Sequence, residues 1–283
     1  MDILLAKPYG YCYGVSKAMD IALRAKREHP GSRVYLIGAP VHNEDAIAYL
    51  SLKGLFLLDG DFASLEKKLE ALPKGSIVVF SAHGHPFSFD EAAKRKGFLV
   101  YDGTCAFVKE NLESALSSSS PIIYIGQEGH AEKEAFLANC PKARFYDAKT
   151  GLGDWRNSLP SPSVVSQTTL SEEEIRRACE NIRNFFPDAE LLQERCTATR
   201  IRQEKVKELS KEADAAIVLG SKTSNNARKL FEIASANCRS WLCLDEKEVR
   251  SLDLSPYKKI LVCSSASTSK EIVEATVNYL SSL

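Results

Sequence analysis

Short apolar runs recur along the whole chain, and stretches with the period of an amphipathic helix lie between several of them. The runs are rich in Ile, Val, Leu and Tyr and end at Gly, Ser or Pro, which is typical of buried parallel strands. They lie at 2–6, 33–38, 76–81, 121–126, 163–167, 215–220 and 258–264. Helices are predicted over 16–29, 171–186 and 201–213. The alternation predicts an α/β fold with parallel sheets.

The same order of elements occurs three times. A cysteine is followed by a helix, then by a strand that ends in Gly, and later by a strand that ends in Ser and further polar residues. The three copies begin at Cys12, Cys105 and Cys196, which are roughly 90 residues apart, a domain-sized period. The repeat predicts three similar α/β units over 1–100, 101–192 and 193–283, each with one of these cysteines.

Charge and composition narrow the class of protein. The chain of 283 residues has 37 basic and 37 acidic side chains, so its formal charge is zero and no nucleic-acid or polybasic membrane surface is indicated. No apolar run has the length of a membrane span, and the first residues lack the basic and apolar regions of a signal peptide. A cytoplasmic location is therefore expected, with the eight cysteines as reduced thiols and some of them as candidate metal ligands.

Three of the cysteines occupy equivalent places in the repeat. Cys12, Cys105 and Cys196 lie in loop-like settings, whereas the others resemble small buried residues or lie near turns. Loops at the carboxyl ends of parallel strands carry functional groups, so three similar units can converge on one centre. Three thiolates suit zinc or an iron–sulfur cluster, although the lack of a local C-x₂-C pair weakens zinc. Cys263, at a strand end, is the residue that could add a fourth thiolate.

Polar residues follow the same strand ends. Imidazole, hydroxyl and amide groups form a set of neutral or switchable donors that could hold a phosphate or diphosphate beside helix N-termini. Glu132 is the nearby carboxylate that could hand over a proton. Each of these residues, taken alone, could equally be an ordinary loop residue. The candidates are His42, His83, His130, Glu132, Gln167, Thr168, Thr169, Ser224, Asn226 and Ser267.

Nine segments spread from end to end give the chain a family resemblance. They are ILLAKPYGYCYGV, VHN, FSAHG, DGTC, GHAE, SQTTLS, CTATRIRQE, GSKTSNN and SSAST. With these segments the chain resembles the 4-hydroxy-3-methylbut-2-enyl diphosphate reductase family, which catalyses the last step of the non-mevalonate isoprenoid pathway. The resemblance implies three α/β units arranged pseudo-threefold around a central [4Fe–4S] cluster.

The resemblance also implies a role for each candidate residue. Cys12, Cys105 and Cys196 would ligate the cluster, whose open fourth iron would take the substrate hydroxyl. Two electrons and two protons would then remove that hydroxyl as water and give isopentenyl and dimethylallyl diphosphate. Glu132 would be the proton donor, acting with Thr168 and His130. The diphosphate would be bound by His42, His83, His130, Thr168, Ser224, Asn225, Asn226 and Ser267. A protein such as ferredoxin or flavodoxin would be the one-electron donor.

The chain departs from the usual residues of that family beside several of these positions. The departures are Glu44, His85, Pro86, Gly103, Ala106, Gln127, Ala131, Ala135, Arg200 and Ile201. Changes that surround a metal site can alter rate and redox potential without abolishing function, and they can also accompany a new substrate. Two alternatives therefore stay open: a paralogue on the same scaffold with another substrate, and a non-catalytic iron–sulfur redox sensor. A zinc-dependent hydrolase is a more distant one.

Overall fold

The computed structural model describes residues 1–41, 43–153, 161–192 and 196–283. Within these residues the chain forms twelve strands and eleven helices. The strands are β1 (Asp2–Leu5), β2 (Val34–Ile37), β3 (Leu55–Leu58), β4 (Ile77–Phe80), β5 (Leu99–Asp102), β6 (Ile122–Gly126), β7 (Ala143–Asp147), β8 (Ser163–Ser166), β9 (Glu190–Leu191), β10 (Ala215–Leu219), β11 (Arg239–Cys243) and β12 (Lys259–Ser264). The helices are α1 (Tyr13–Glu28), α2 (Glu44–Leu52), α3 (Phe62–Ala71), α4 (Phe87–Lys96), α5 (Ala106–Ser117), α6 (Ala131–Asn139), α7 (Glu172–Phe185), α8 (Ala198–Leu209), α9 (Asn225–Ser235), α10 (Glu246–Arg250) and α11 (Lys270–Ser281).

The strands form three parallel sheets, each of four strands as counted over the described residues. Across the first sheet the order is β1-β12-β10-β11, across the second β3-β2-β4-β5, and across the third β7-β6-β8-β9. Every neighbouring pair within these orders is parallel. The predicted α/β class with parallel sheets is confirmed.

The two strands of each predicted repeat are neighbours at the centre of one sheet. Strand β2 pairs with β4, β6 with β8, and β10 with β12. Because the paired strands are parallel and in register, the Gly-ended and Ser-ended strands finish at the same edge of their sheet. Polar residues that follow them are therefore brought together within that sheet, where ligands of open parallel sheets usually bind.

The central strands are apolar on both faces because helices cover both faces of each sheet. In the third sheet, Ile125 packs with Ile182 of α7 on one face, and Tyr124 packs with Phe136 of α6 on the other. Burying a side chain of this size stabilises the fold by roughly 1.5–3 kcal/mol. The sequence accordingly shows continuous apolar runs at these strands rather than alternation.

The predicted capping box at the start of α7 is present. The Glu174 backbone N–H donates to Ser171 Oγ at 3.2 Å, and the Ser171 backbone N–H donates to Glu174 Oε2 at 2.8 Å. These reciprocal bonds satisfy two backbone donors that the helix itself leaves unpaired. No helix formed by the described residues is both long and apolar enough to cross a bilayer.

The chain divides into two compact units. The first consists of Met1–Ser16, Val41–Tyr49 and Thr197–Leu283, and it contains the first sheet. The second consists of Lys17–Pro40 and Leu50–Cys196, and it contains the other two sheets. Strand β1, near the chain start, thus pairs with β12 in the sheet of the last predicted unit. The boundaries 1–100, 101–192 and 193–283 stay a prediction.

His85 is a buried histidine in the second unit. Its ring stacks on Phe80 with a centroid separation of 3.8 Å, and its Nε2 lies 3.1 Å from Asp90 Oδ2. Burial lowers the pKa of His85, while the Asp90 carboxylate opposes that change. The folded protein therefore binds a proton at His85 less readily than the unfolded chain does.

We expect acidification to destabilise the protein partly through His85. A histidine with a lowered pKa in the folded state contributes stability that is present above its unfolded pKa of about 6.5 and is lost as the pH falls through the folded value. In His85→Phe, which keeps a ring on Phe80, the unfolding free energy should fall less between neutral and mildly acidic pH. Urea denaturation at a series of pH values measures this, and equal pH slopes in the two proteins would contradict it.

Candidate functional site

Each cysteine of the repeat lies at the start of a helix. Cys12 directly precedes α1, Cys105 caps α5, and Cys196 lies two residues before α8. The positive end of a helix stabilises negative charge, and so it favours a thiolate over a thiol. All three side chains are partly exposed. The predicted order of cysteine followed by helix is therefore present in all three copies of the repeat.

The loop that carries Cys12 is fixed to the end of β12 within the first unit. The Cys12 backbone N–H donates to the Ala266 carbonyl at 3.0 Å, and the Gly10 N–H donates to Ser264 Oγ at 3.1 Å. Gly10 has a φ of +82°, in the left-handed region that residues with a Cβ rarely adopt. The left-handed conformation of Gly10 lets the loop turn before α1 begins.

Arg202 of α8 holds the same loop from the other side. Its side chain is buried, with Nη1 donating to the Pro8 carbonyl at 3.0 Å and Nη2 donating to the Gly10 carbonyl at 2.8 Å. Burial lowers the pKa of Arg202, and the Cys12 thiol is the first of the nearby groups that oppose this change.

The other five cysteines differ from these three in their electrostatics. Burial raises the pKa of each of these thiols, to about 11 for Cys243 and to about 12 for Cys263. A thiol with such a pKa remains protonated near neutral pH and is a poor metal ligand. Cys263 is therefore unsuited to be a fourth ligand. The donor set that remains, three partly exposed thiols at helix starts, suits a cluster with three protein ligands.

Two hydrogen bonds join Glu132 and Thr168 in the region of the third sheet. The Thr168 backbone N–H donates to Glu132 Oε1 at 2.9 Å, and its hydroxyl donates to Oε2 at 2.6 Å. The Glu132 residue is only 3% exposed, whereas Thr168 is partly exposed. Helix α6 provides the carboxylate and the loop after β8 provides the threonine, as the strand-end prediction requires.

Two predicted histidines lie beside this pair. His130 caps α6, and its Nδ1 accepts a bond from the Glu132 backbone N–H at 3.2 Å. In a neutral imidazole, an accepting Nδ1 leaves the proton on Nε2, which is then a donor. The His83 ring meets the His130 ring edge to face, with 5.8 Å between their centroids. The second unit thus brings His83, His130, Glu132 and Thr168 together.

The first unit gathers the predicted hydroxyl and amide residues at the ends of β10 and β12. Ser224 caps α9, its Oγ accepting from the Ala227 N–H, and Ser267 Oγ lies 3.1 Å from Ser265 Oγ. Asn226 is 5% exposed, and among the residues that the structure describes neither its amide oxygen nor its amide nitrogen has a hydrogen-bond partner. Such a buried, unpaired amide is costly unless a ligand satisfies it. Asn225 is partly exposed and accepts a bond from Arg228.

The structure thus places the predicted residues in two groups, one in each unit. Cys12 belongs to the first unit, whereas Cys105 and Cys196 belong to the second. Within each unit, the described residues include no group of three His, Cys, Asp or Glu side chains that could hold a metal ion. His42 lies outside the residues that the structure describes.

Arg202 is a site residue that the sequence did not single out. Charged residues are common in an amphipathic helix and usually face water. The sequence feature that could have identified Arg202 is its position, because it follows Cys196 within the segment CTATRIRQE. Only the fold shows that this side chain points inward and reaches the loop of Cys12.

Comparison with known proteins places the chain in a family. The sequence profile described as LytB protein matches residues 3–281. The 4-hydroxy-3-methylbut-2-enyl diphosphate reductase of Geobacillus thermodenitrificans is 33% identical over 290 residues, which cover 99% of this chain and 90% of that protein. The reductase of the same name from Geobacillus kaustophilus is 32% identical, with the same coverage.

Solved structures agree with the fold. The structure of the E-1-hydroxy-2-methyl-but-2-enyl-4-diphosphate reductase from Plasmodium falciparum superposes with a TM-score of 0.88 at 27% identity, covering 99% of this chain and 88% of that one. A second reductase structure, at 24% identity, has a TM-score of 0.69, covers 100% of this chain and 99% of that one, and supports the fold alone. With a match over nearly its whole length, the chain belongs to the LytB protein family.

Proposed function

We propose that this protein reductively removes the hydroxyl group of 4-hydroxy-3-methylbut-2-enyl diphosphate and releases isopentenyl and dimethylallyl diphosphate. The observation that carries the proposal is the buried Glu132 carboxylate, which both donors of Thr168 hold beside His130. A hydroxyl is a poor leaving group, and a positioned acid beside it lowers the barrier to its departure as water. Relatives that bear the name of this reductase match nearly the whole chain.

Cys12, Cys105 and Cys196 are the residues that would hold a [4Fe–4S] cluster. Their exposure, their places at helix starts and the raised pKa of the buried thiols support this choice over any other three cysteines. When bound, the cluster would supply the electrons and a Lewis-acidic iron. Arg202 would keep the Cys12 loop in place.

Neutral hydrogen-bond donors would bind the diphosphate. His83 and His130 can donate ring N–H groups, Ser224 and Ser267 can donate hydroxyls, and Asn226 has an unpaired amide. The N-terminus of α9 adds backbone donors and the positive end of the helix dipole. His42 and Asn225 belong to the same proposed set. Such donors can hold a dianionic group without an arginine pair.

Glu132 and Thr168 would manage the protons of the reaction. The C–O bond of the allylic alcohol breaks, two electrons enter, one proton leaves with the oxygen as water, and one is added to the carbon skeleton. Glu132 is the group that can supply a proton, and the Thr168 hydroxyl, bonded to it at 2.6 Å, links it to the substrate hydroxyl. A protein such as ferredoxin or flavodoxin would deliver the electrons one at a time.

An anaerobic assay tests the proposal. Protein reconstituted with iron and sulfide is mixed with a strong one-electron reductant and 4-hydroxy-3-methylbut-2-enyl diphosphate, and the products are identified by mass spectrometry. We expect both five-carbon diphosphates. No product from protein with a full complement of iron and sulfide would favour the paralogue with another substrate or the redox sensor.

Asn226→Ala should raise KM for the diphosphate about tenfold and change kcat little, because it removes hydrogen bonds to a charged group. The substrate-free variant should lose no thermal stability, since the amide has no partner to lose. Asn237→Ala is the matched control, because that amide already bonds to Ser210 at 3.0 Å. An unchanged KM in Asn226→Ala would remove Asn226 from the binding set.

A further inference from the structure

Tyr124 is a tyrosine in a strand whose other residues have no polar side chain. It lies in the middle of β6, is 1% exposed, and its hydroxyl has no hydrogen-bond partner of standard geometry among the described residues. Taking a hydroxyl out of water costs about 1–3 kcal/mol unless a polar neighbour compensates for it, so the polar group nearest to this hydroxyl matters. The tyrosine therefore calls for a functional explanation.

Packing aims the ring of Tyr124 at Glu132. The ring stacks on Phe136 of α6 with 4.3 Å between centroids, and Phe136 is one helical turn after Glu132. The ring also leans along the strand toward its carboxyl end. A Cβ on Gly126, the last residue of β6, would lie only 2.8 Å from Tyr124 Cε1, so glycine is required there to leave room for the ring.

Electrostatics identify the group that the hydroxyl faces. Burial raises the pKa of Tyr124 well above 10, and the neighbouring Glu132 carboxylate raises it further. The hydroxyl is therefore neutral near physiological pH and can donate a hydrogen bond to a carboxylate. Both oxygens of Glu132 accept from Thr168, and a carboxylate oxygen has a second lone pair for another donor.

We propose that Tyr124 is a positioning residue whose hydroxyl faces the Glu132 carboxylate from the side of the sheet and, with Thr168, holds that carboxylate in one orientation. The role rests on the proposed function, in which Glu132 supplies a proton. The proton itself comes from Glu132, and Tyr124 takes no part in the transfer. No bond of Tyr124 forms or breaks.

The groups around Glu132 come from four elements. Tyr124 faces it from β6, His130 contacts its backbone at the start of α6, and Glu134 follows on the same helix. The Lys133 ammonium is bound to the carboxylates of Glu128 and Glu134. The loop after β8 provides Thr168, which is neutral, and α5 packs on α6 with Glu113 near Phe136.

Tyr124→Phe removes the hydroxyl and keeps the ring on Phe136. A donor to a carboxylate favours its charged form, so its loss should raise the pH at which Glu132 titrates by about 1 unit. Carbon NMR of the full-length protein, with glutamate labelled at the side-chain carboxyl carbon, follows this titration without any need for turnover. The Glu132 signal is the one that Glu132→Gln removes.

Tyr146→Phe is the matched control in the same sheet. Tyr146 of the neighbouring strand β7 is equally buried, but it packs on the opposite face and its hydroxyl accepts from Asn181 at 2.9 Å. This variant should leave the Glu132 titration unchanged. No shift in Tyr124→Phe, or an equal shift in Tyr146→Phe, would overturn the proposal.

The pH dependence of turnover is a second measurement, and it tests the role of Tyr124 separately from the proposed function. In Tyr124→Phe the alkaline limb of the kcat profile should move up by about the same 1 unit, with KM unchanged, because the limb reports the proton on Glu132. If the wild-type protein shows no turnover but Tyr124→Phe shifts the Glu132 titration, the proposed reductase activity is rejected and the role of Tyr124 is retained. An active Tyr124→Phe variant whose pH profile and NMR titration both match wild type would reject Tyr124 alone.

Discussion

Glu132→Gln is expected to lower kcat by a factor of about 10²–10⁴, the usual contribution of a positioned acid or base. Glutamine has nearly the same shape, and its amide oxygen can still accept from the Thr168 backbone N–H, so the local structure should persist. It cannot supply a proton. Anaerobic turnover and iron content measured on the same preparation would show a large loss of rate with a full cluster.

The neighbouring carboxylate provides the control for that prediction. Glu134→Gln makes the same chemical change two residues further along α6, at an exposed side chain that pairs with Lys133. We expect its kcat to stay within about twofold of wild type, since Lys133 keeps its second ion pair, with Glu128. A Glu132→Gln variant with wild-type turnover would exclude Glu132 as the proton donor.

Replacing any one of Cys12, Cys105 and Cys196 by serine should cost both the cluster and the activity. Replacing a residue that only hydrogen-bonds to a metal ligand lowers metal affinity or activity by about 10–100-fold. The loss of a ligand itself should therefore reduce turnover by more than about 100-fold. Iron and acid-labile sulfide, measured after anaerobic reconstitution, should fall together. The folded state should survive, because these side chains are partly exposed and lie outside the core.

Cys238→Ser is the matched variant for the three cysteines. Cys238 is also partly exposed, but burial raises its pKa, and its sulfur lies 3.7 Å from the Ala234 carbonyl oxygen and 4.0 Å from Ser240 Oγ. This variant should reconstitute fully. If Cys12→Ser, Cys105→Ser or Cys196→Ser also keeps full iron, sulfide and turnover, the corresponding thiol is not a ligand.

The central strands of each sheet could be predicted from the sequence, and most edge strands could not. Strands β3, β5, β7, β9 and β11 were not predicted, and each lies at the edge of its sheet. An edge strand has only one neighbour and is partly exposed, so its apolar run is short and, in most of these strands, contains polar side chains. In β11, for example, the sequence is RSWLC and only Cys243 is buried.

The candidate site was predictable as far as the repeat extends. The repeat identified equivalent positions, which is why Glu132, Thr168, His83 and His130 were named and are found together. Arg202 and Tyr124 are not repeated features, and each looks like an ordinary residue of its element. Their roles depend on the position of the polar group at the end of a long side chain, and only tertiary packing determines that position.

The departures around His130 leave the local backbone intact. Ala131 is the first residue of α6, a position that favours proline, but alanine is itself the strongest helix former. The Gln127 backbone N–H donates to the buried Gln167 side chain at 3.0 Å, a bond that any residue at this position can make. These substitutions therefore preserve the geometry of His130 and Glu132, and we expect them to affect rate more than reaction type.

The most direct measurement of the central claim is the number of electrons consumed for each molecule of product. Reconstituted protein would be given a known amount of one-electron reductant under anaerobic conditions, with 4-hydroxy-3-methylbut-2-enyl diphosphate in excess, and both five-carbon diphosphates would be quantified. Reductive dehydroxylation predicts two electrons for each product molecule. Oxidation of the reductant with no five-carbon product, by protein with an intact cluster, would contradict it.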